Sequence, residues 1–118
     1  MKNILVVDDN RDGALSLKLF FEMFGHSVVV AHTGLEALDE ARKLVPDFIF
    51  LDIGLPGMNG YEVARLVRSM PSGDRPKIIA VTGWGSEQDR KNSSDAGCNL
   101  HLTKPIDLSE VEKLLEGE

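Results

Sequence analysis

The chain has 118 residues, 42% of them hydrophobic, and a formal net charge of −6. This length fits one domain, predicted over residues 1–118, with enough material for a buried core. The acidic balance disfavours direct binding to nucleic acid or to an anionic membrane, because both need a positive field. The apolar runs are shorter than a membrane span, the N-terminus lacks a signal-peptide layout, and one cysteine cannot form an internal disulfide. We therefore expect a cytoplasmic protein.

In the first half of the chain, short apolar runs alternate with segments of helical spacing. Residues 4–7 (ILVV), 27–31 (SVVVA) and 48–51 (FIFL) predict strands buried on both faces, because the runs are continuous and mostly β-branched or aromatic. Helices are predicted over 11–24 and 34–44, where apolar residues recur every three or four positions. The residues predicted to face the core are Leu17, Phe20, Phe21, Phe24, Ala37, Leu38 and Ala41.

The second half repeats this alternation. A helix is predicted over 60–70, strands over 78–81 (IIAV) and 100–102 (LHL), and a last helix over 107–115. Residues 86–96 lie where a further helix is due but carry almost nothing apolar, so we predict a marginal and mobile helix there. The residues predicted to face the core are Val63, Leu66, Val67, Met70, Leu108, Val111, Leu114 and Leu115.

Strands that alternate with helices in one short domain predict an α/β fold with a parallel sheet covered on both faces. Five such units favour the flavodoxin-like, doubly wound (βα)5 fold with strand order 2-1-3-4-5. In that order the ligand crevice lies outside the carboxyl ends of the first and third strands, where the winding reverses.

Polar side chains follow four of the five predicted strands and would open onto one edge of the sheet. They are Asp8 and Asp9, Asp52, Thr82, and Lys104. Three close carboxylates cannot all stay ionised without compensation, and Mg²⁺ (or Mn²⁺) with oxygen ligands would supply it. The ammonium and the hydroxyl suit phosphoryl oxygens, and a Gly-rich phosphate loop is missing from the sequence. The interpretation that remains is that an aspartate itself accepts a phosphoryl group.

The chain resembles the receiver domain of two-component response regulators. The resemblance rests on ILVVDDN (4–10), LDIGLPGMNGYE (51–62), IIAVTGWG (78–85) and LTKP (102–105), in this order and spacing. It implies a phosphoacceptor that takes a phosphoryl group from a histidine kinase or a histidine phosphotransfer protein and then changes conformation to signal to a partner. It implies catalysis only of its own phosphorylation and dephosphorylation, and it allows a homodimer after phosphorylation.

The resemblance also implies roles for the acidic residues and their neighbour. Asp52 would be the phosphoacceptor and would form an acyl phosphate. Asp9 would bind the metal directly, Asp8 would hold the metal's water shell, and the carbonyl of Gly54 would complete the protein ligands.

Further roles fall on the last two strands. Lys104 would neutralise the phosphoryl group, Thr82 would swing onto it, and Pro105 would follow a cis peptide bond that aims Lys104. His101 stands where the family usually has Tyr or Phe, and we predict a packing role, with pH sensitivity as the alternative.

Gly83 and Trp84 follow Thr82 and are predicted to support the switch. We hypothesise that Trp84 partly shields the acyl phosphate from water, at a site where Gly54 offers no side chain.

Several residues outside this group of polar side chains have a purely structural interpretation or two competing ones. Leu15, Leu19 and Met23 lie opposite the core-facing side of their helix, and they predict either a docking surface for the histidine-bearing partner or burial by a neighbouring molecule. His26 and His32 flank the second strand and are predicted to be surface or rim residues rather than ligands or phosphorylation sites. Cys98 is predicted to be a buried structural thiol.

Two other classes of protein compete with the receiver interpretation. A phosphohydrolase with an aspartyl nucleophile would carry that nucleophile after the first strand and usually a cap domain. A flavodoxin-like ligand binder would need a phosphate- or ring-binding loop. Within the receiver class, the stretches from 52 to 68 and from 81 to 90 look most like receivers of hybrid sensor histidine kinases. A free-standing regulator or a phosphorelay intermediate remains open.

Overall fold

The computed structural model describes residues 1–83 and 87–116. The strands are β1 (Asn3–Val7), β2 (Ser27–Ala31), β3 (Phe48–Asp52), β4 (Lys77–Thr82) and β5 (Leu100–Thr103). The helices are α1 (Arg11–Met23), α2 (Gly34–Leu44), α3 (Gly60–Arg68), α4 (Glu87–Asp95) and α5 (Leu108–Glu116). Within the described residues, no helix is both long enough and apolar enough to cross a bilayer.

The five strands form one parallel sheet in the order β2-β1-β3-β4-β5, which confirms the predicted α/β flavodoxin-like fold. The central strands β1 and β3 are buried along almost their whole length, which explains why their sequences do not alternate. The two strands are neighbours in space but not in sequence, and their register pairs Val7 with Leu51. The residues that follow these two strands therefore emerge together at one edge.

The core lies in two layers, one on each face of the sheet. Successive strand residues point to opposite faces, so Leu5 and Val7 pack towards α2 and α3, and Ile4 and Val6 pack towards α1 and α5. Phe50 lies in the second layer, where its ring is 4.9 Å from that of Phe21 between centroids. Both layers are built from the apolar faces that the helical spacing predicted.

Three residues predicted to face the core are instead exposed: Phe24 by 48%, Leu66 by 43% and Leu108 by 43%. Phe24 lies just beyond α1, as its C-cap, and rests edge-on against Phe20 rather than under the sheet. Leu66 lies within α3 and Leu108 is the first residue of α5, and the packing of these helices leaves much of both side chains uncovered.

The segment 86–96 was predicted to be helical, and α4 occupies it over Glu87–Asp95. The buried side chains here are small, namely Ser93 and the following Ala96. Little apolar surface therefore holds this helix to the sheet, and its marginal stability stays a prediction.

Candidate functional site

Three carboxylates meet at the carboxyl edge of the sheet. Asp8 follows β1, Asp9 is next to it, and Asp52 is the last residue of β3. One oxygen of each lies within 4.8 Å of the others. Because β1 and β3 pair in parallel, the topology itself brings these side chains together.

The three carboxylates differ in burial, and the pKa of one of them is shifted by its surroundings. Asp52 is only 7% exposed, Asp8 is half-buried and Asp9 is exposed. Burial raises the pKa of Asp8 above its usual range, and a hydrogen bond with Asp52 and the charge of that residue raise it further. The backbone N–H of Asn10 and the charge of Lys104 lower it in part. A cation placed among these oxygens would relieve the repulsion, and carboxylate oxygens at this spacing fit a hard divalent ion.

Lys104 directly follows β5, and its ammonium group contacts the carboxylate of Asp52. Its Nζ is 3.2 Å from Oδ2 of Asp52. The Lys104–Pro105 peptide bond is cis, as the resemblance implied. The backbone N–H of Lys104 donates to the carbonyl of Thr82 at 2.8 Å, which ties the end of β5 to the end of β4.

The second oxygen of Asp52 has its own partner, because the backbone N–H of Gly54 donates to Oδ1 at 3.0 Å. The turn that follows closes tightly on the strand end, since the N–H of Gly60 donates to the carbonyl of Ile53 at 3.0 Å. A Cβ on Gly60 would lie 2.7 Å from the carbonyl oxygen of Asp52, so only glycine fits this approach. The two oxygens of Asp52 are thus held in a fixed orientation.

An open cavity of about 550 Å³ lies beside this carboxylate. It is lined by Asp52, Ile53, Gly54, Asn59, Tyr61, Thr82, Gly83, Asp89 and Lys104. Thr82 is buried and Gly83 is exposed, so the end of β4 forms one wall of the cavity. An anionic group that enters the cavity meets the Asp52 carboxylate, the Lys104 ammonium and the Thr82 residue together.

Comparison with known families decides the class. A sequence profile of the response regulator receiver domain matches residues 4–116. The chain belongs to this receiver domain family. The receiver domain spans nearly the whole described chain, in agreement with the predicted resemblance.

Relatives of this receiver domain include response regulators of different length. It is 41% identical over 108 residues to the response regulator MprA of Mycobacterium avium, which covers 92% of the chain but 46% of that protein. It is 34% identical over 110 residues to the polar-differentiation response regulator DivK of Brucella ovis, covering 91% and 87%. The chain therefore spans about half the length of MprA and most of DivK.

Among solved structures, the receiver domain of the sensor histidine kinase PA1611 from Pseudomonas aeruginosa PAO1 superposes with a TM-score of 0.89 at 31% identity, covering 98% of this chain and 95% of that one. That structure holds a magnesium ion coordinated in its active-site cleft. The two proteins share the fold and the family, and the magnesium ion is a feature of the PA1611 structure.

His101 is a residue of β5, and its ring contacts α4 rather than lining the cavity of this receiver domain. Its register partner in β4 is Ala80, and its Nδ1 is 3.1 Å from the hydroxyl of Ser93 on α4. The half-buried ring thus combines packing with a hydrogen bond to the helix. Trp84 lies outside the described residues, so its shielding role stays a prediction.

The sequence interpretation missed one residue near the acidic cluster. His32 was predicted to be a surface or rim residue and is half-buried, but its contact with the cluster was not predicted: its Nδ1 is 2.9 Å from the carbonyl oxygen of Asp8. The signal was present, because His32 directly follows β2 and β2 is the neighbour of β1. His26, at the other end of β2, lies against Lys2 and remote from the carboxyl edge.

Proposed function

We propose that this receiver domain accepts a phosphoryl group on Asp52 from the phosphohistidine of a histidine kinase or phosphotransfer protein, in a Mg²⁺-dependent reaction. The observation that carries the proposal is the setting of the Asp52 carboxylate. It is buried, oriented by the Gly54 N–H, 3.2 Å from the Lys104 ammonium, and clustered with two further carboxylates beside an open cavity.

The chemistry follows from this setting. A carboxylate oxygen of Asp52 attacks the phosphorus, the P–N bond to the donor imidazole breaks, and the electron pair leaves with the imidazole nitrogen. Asp9, Asp8, Asp52 and the carbonyl of Gly54 would hold the Mg²⁺, which when bound neutralises charge on the phosphoryl oxygens. Lys104 neutralises a further oxygen of the transferred group, as in-line phosphoryl transfer requires.

The same charge supplies the switch. New negative charge on Asp52 attracts the Lys104 ammonium and gives the Thr82 hydroxyl an oxygen to which it can donate. Thr82 ends β4, and its carbonyl accepts from the Lys104 N–H at the end of β5. A movement of Thr82 therefore reaches β5, and through the His101–Ser93 contact it reaches α4.

The first experiment is intact mass spectrometry after incubation with acetyl phosphate and Mg²⁺. We expect one added phosphoryl group, which is lost in Asp52→Asn and in a sample treated with EDTA. Asp74→Asn, which removes an exposed aspartate in the loop before β4, should still be labelled. Absence of an adduct, together with absence of binding by the phosphoryl mimic beryllofluoride, would contradict the proposal.

The donor is proposed to dock on the exposed face of α1. Leu15, Leu19 and Met23 are exposed by 51%, 54% and 81%. The helix begins directly after Asn10, next to the two aspartates, so a helix laid along α1 would bring its histidine towards Asp52. Exposed apolar surface of this kind marks an interaction site.

A double substitution tests the docking face separately from the chemistry. Leu15→Glu/Leu19→Glu should slow phosphotransfer from a purified phosphohistidine donor about tenfold or more, while labelling by acetyl phosphate is unchanged. Leu35→Glu, at a residue of α2 that is 72% exposed, is the matched control and should transfer normally. Normal transfer by the double variant would place the docking face elsewhere.

A further inference from the structure

We propose that His32 is a positioning residue for the divalent cation site, because its ring fixes the peptide group that joins Asp8 to Asp9. The inference rests on the proposed metal site. It concerns a histidine that directly follows β2, a strand to which the proposed reaction otherwise assigns no residue.

The hydrogen bond determines the state of the ring. The Nδ1 of His32 is 2.9 Å from the carbonyl oxygen of Asp8. A carbonyl oxygen can only accept, so Nδ1 must carry the proton and donate it. The bond therefore specifies the tautomer of His32 with a proton on Nδ1.

Beside its side-chain hydrogen bond with Asp52, Asp8 is held by this bond and by two others to backbone groups. The N–H of Asp8 donates to the carbonyl of Ala31 at 3.0 Å, as the last bond between β1 and β2. The Oδ1 of Asp8 accepts from the N–H of Asn10 at 2.9 Å. The peptide groups on both sides of Asp8 are thus attached to the end of β2, the first through the backbone and the second through the His32 ring.

The second of these peptide groups also carries the N–H of Asp9, because a peptide unit is planar. Rotation of this plane would swing the Asp9 side chain relative to that of Asp8. Asp9 itself is exposed and directly precedes Asn10, which is the N-cap of α1. Among the described residues, the His32 ring donates a side-chain hydrogen bond to the carbonyl of this peptide group.

The backbone of His32 is itself held in place. The backbone N–H of His32 donates to Oε1 of Glu36 at 2.8 Å. Thr33 caps α2 by accepting from the N–H of Glu36 at 3.1 Å. The start of α2 therefore anchors the backbone of the half-buried His32, from which the imidazole reaches the Asp8 carbonyl.

Outer partners of this kind raise metal affinity by orienting the ligands before the ion arrives. Their removal typically lowers affinity by about 10- to 100-fold. In this protein the effect passes through the backbone between two ligands, so it does not require the imidazole to touch the ion.

Mn²⁺ alone is the probe, titrated into the protein and followed by the loss of free Mn²⁺ signal in electron paramagnetic resonance. His32→Leu removes the donor, and we expect Mn²⁺ binding to weaken about tenfold or more. His32→Asn keeps an N–H donor near the Nδ1 position, and we expect affinity within about threefold of the unsubstituted protein. His26→Leu removes the histidine at the opposite end of β2 and should leave affinity unchanged.

The outcomes separate the inference from the function on which it rests. If the unsubstituted protein binds no Mn²⁺, both fail. If it binds Mn²⁺ and a folded His32→Leu binds equally well, the inference on His32 alone is overturned. A loss in His32→Asn equal to that in His32→Leu would also overturn it, because a retained donor should rescue. Should His32→Leu not fold, imidazole ¹⁵N shifts of the unsubstituted protein decide, and a proton on Nε2 alone would overturn it.

Discussion

At the residue scale, Asp8 shows how the site acts against the stability of the fold. Burial raises its pKa above the ordinary value of 3.8, and Asp52 raises it further. The folded protein therefore binds more protons than the unfolded chain between the two pKa values. The stability linked to this group is complete below 3.8 and is lost as the pH rises through the folded value. At neutral pH without metal, ionised Asp8 opposes folding.

Replacing this carboxyl should stabilise the metal-free protein. Asp8→Asn is expected to raise the free energy of unfolding at pH 7 by about 1 kcal/mol, a small gain because solvent screens a half-exposed group. Urea unfolding in EDTA measures it, and the difference from the unsubstituted protein should shrink as the pH falls towards 3.8. Added Mg²⁺ should stabilise the unsubstituted protein more than the variant. A destabilised Asp8→Asn in EDTA would contradict this account of the cluster.

Cys98 offers a second test at the same scale. Burial raises the pKa of its thiol from 9.0 to about 11, and the charge of Arg68 lowers it only in part. At pH 8 its thiolate fraction should be about 100-fold below that of an ordinary thiol, so it should react slowly with Ellman's reagent. Reaction rates are compared between native protein and protein unfolded in urea. Equal rates would show that this thiol is accessible and unperturbed in the fold.

At the scale of elements, side-chain hydrogen bonds join the described residues of α4 to the rest of the fold. The hydroxyl of Ser93 meets Nδ1 of His101 at 3.1 Å, and the hydroxyl of Tyr61 donates to the carbonyl of Asp89 at 3.3 Å. Elements with little buried apolar surface open at low free energy. We therefore predict that α4, the helix next to the proposed phosphorylation site, opens at lower free energy than the central strands.

Ser93→Ala should loosen this helix selectively. Loss of one partly buried hydrogen bond costs about 1 kcal/mol, so amide exchange within α4 should accelerate about fivefold, while β1 and β3 keep their protection. Hydrogen exchange read by mass spectrometry measures both regions in one sample. Ser94→Ala, at the exposed neighbouring serine, is the matched control. Identical exchange in the two variants would show that the Ser93 hydroxyl does not stabilise α4.

The elements also show what the sequence could predict. The strand order followed from continuous apolar runs alternating with amphipathic helices, because few arrangements bury both patterns. Phe24, Leu66 and Leu108 were misassigned, since periodicity gives the face of a helix but not how much of that face a neighbour covers. His32 and Ser93 escaped notice because their partners lie 24 and 8 residues away, and such contacts depend on the finished packing.

At the scale of the whole molecule, Arg68 joins elements at the edge of the sheet opposite the carboxylates. Its guanidinium donates to the carbonyls of Gly73, Pro76 and Gly97 at 2.7, 2.7 and 2.9 Å. It also donates to Oδ1 of Asn99 at 2.7 Å, and that oxygen accepts from the N–H of Ile78 at 2.8 Å. One side chain thus links the end of α3, the loop before β4, and the turn between α4 and β5.

Arg68→Met keeps the apolar stem but leaves these acceptors without their donor, so we expect the free energy of unfolding to fall by about 3 kcal/mol. Arg68→Lys should recover little of this loss, because a single ammonium cannot reproduce the planar fork. Arg65→Met, at an exposed arginine of the same helix, is the control and should cost under about 0.5 kcal/mol. Urea unfolding compares the three variants. Acetyl phosphate should label folded Arg68→Met normally, because Asp52 lies at the other edge of the sheet. Equal free energies of unfolding for Arg68→Met and Arg65→Met would refute the structural role of Arg68.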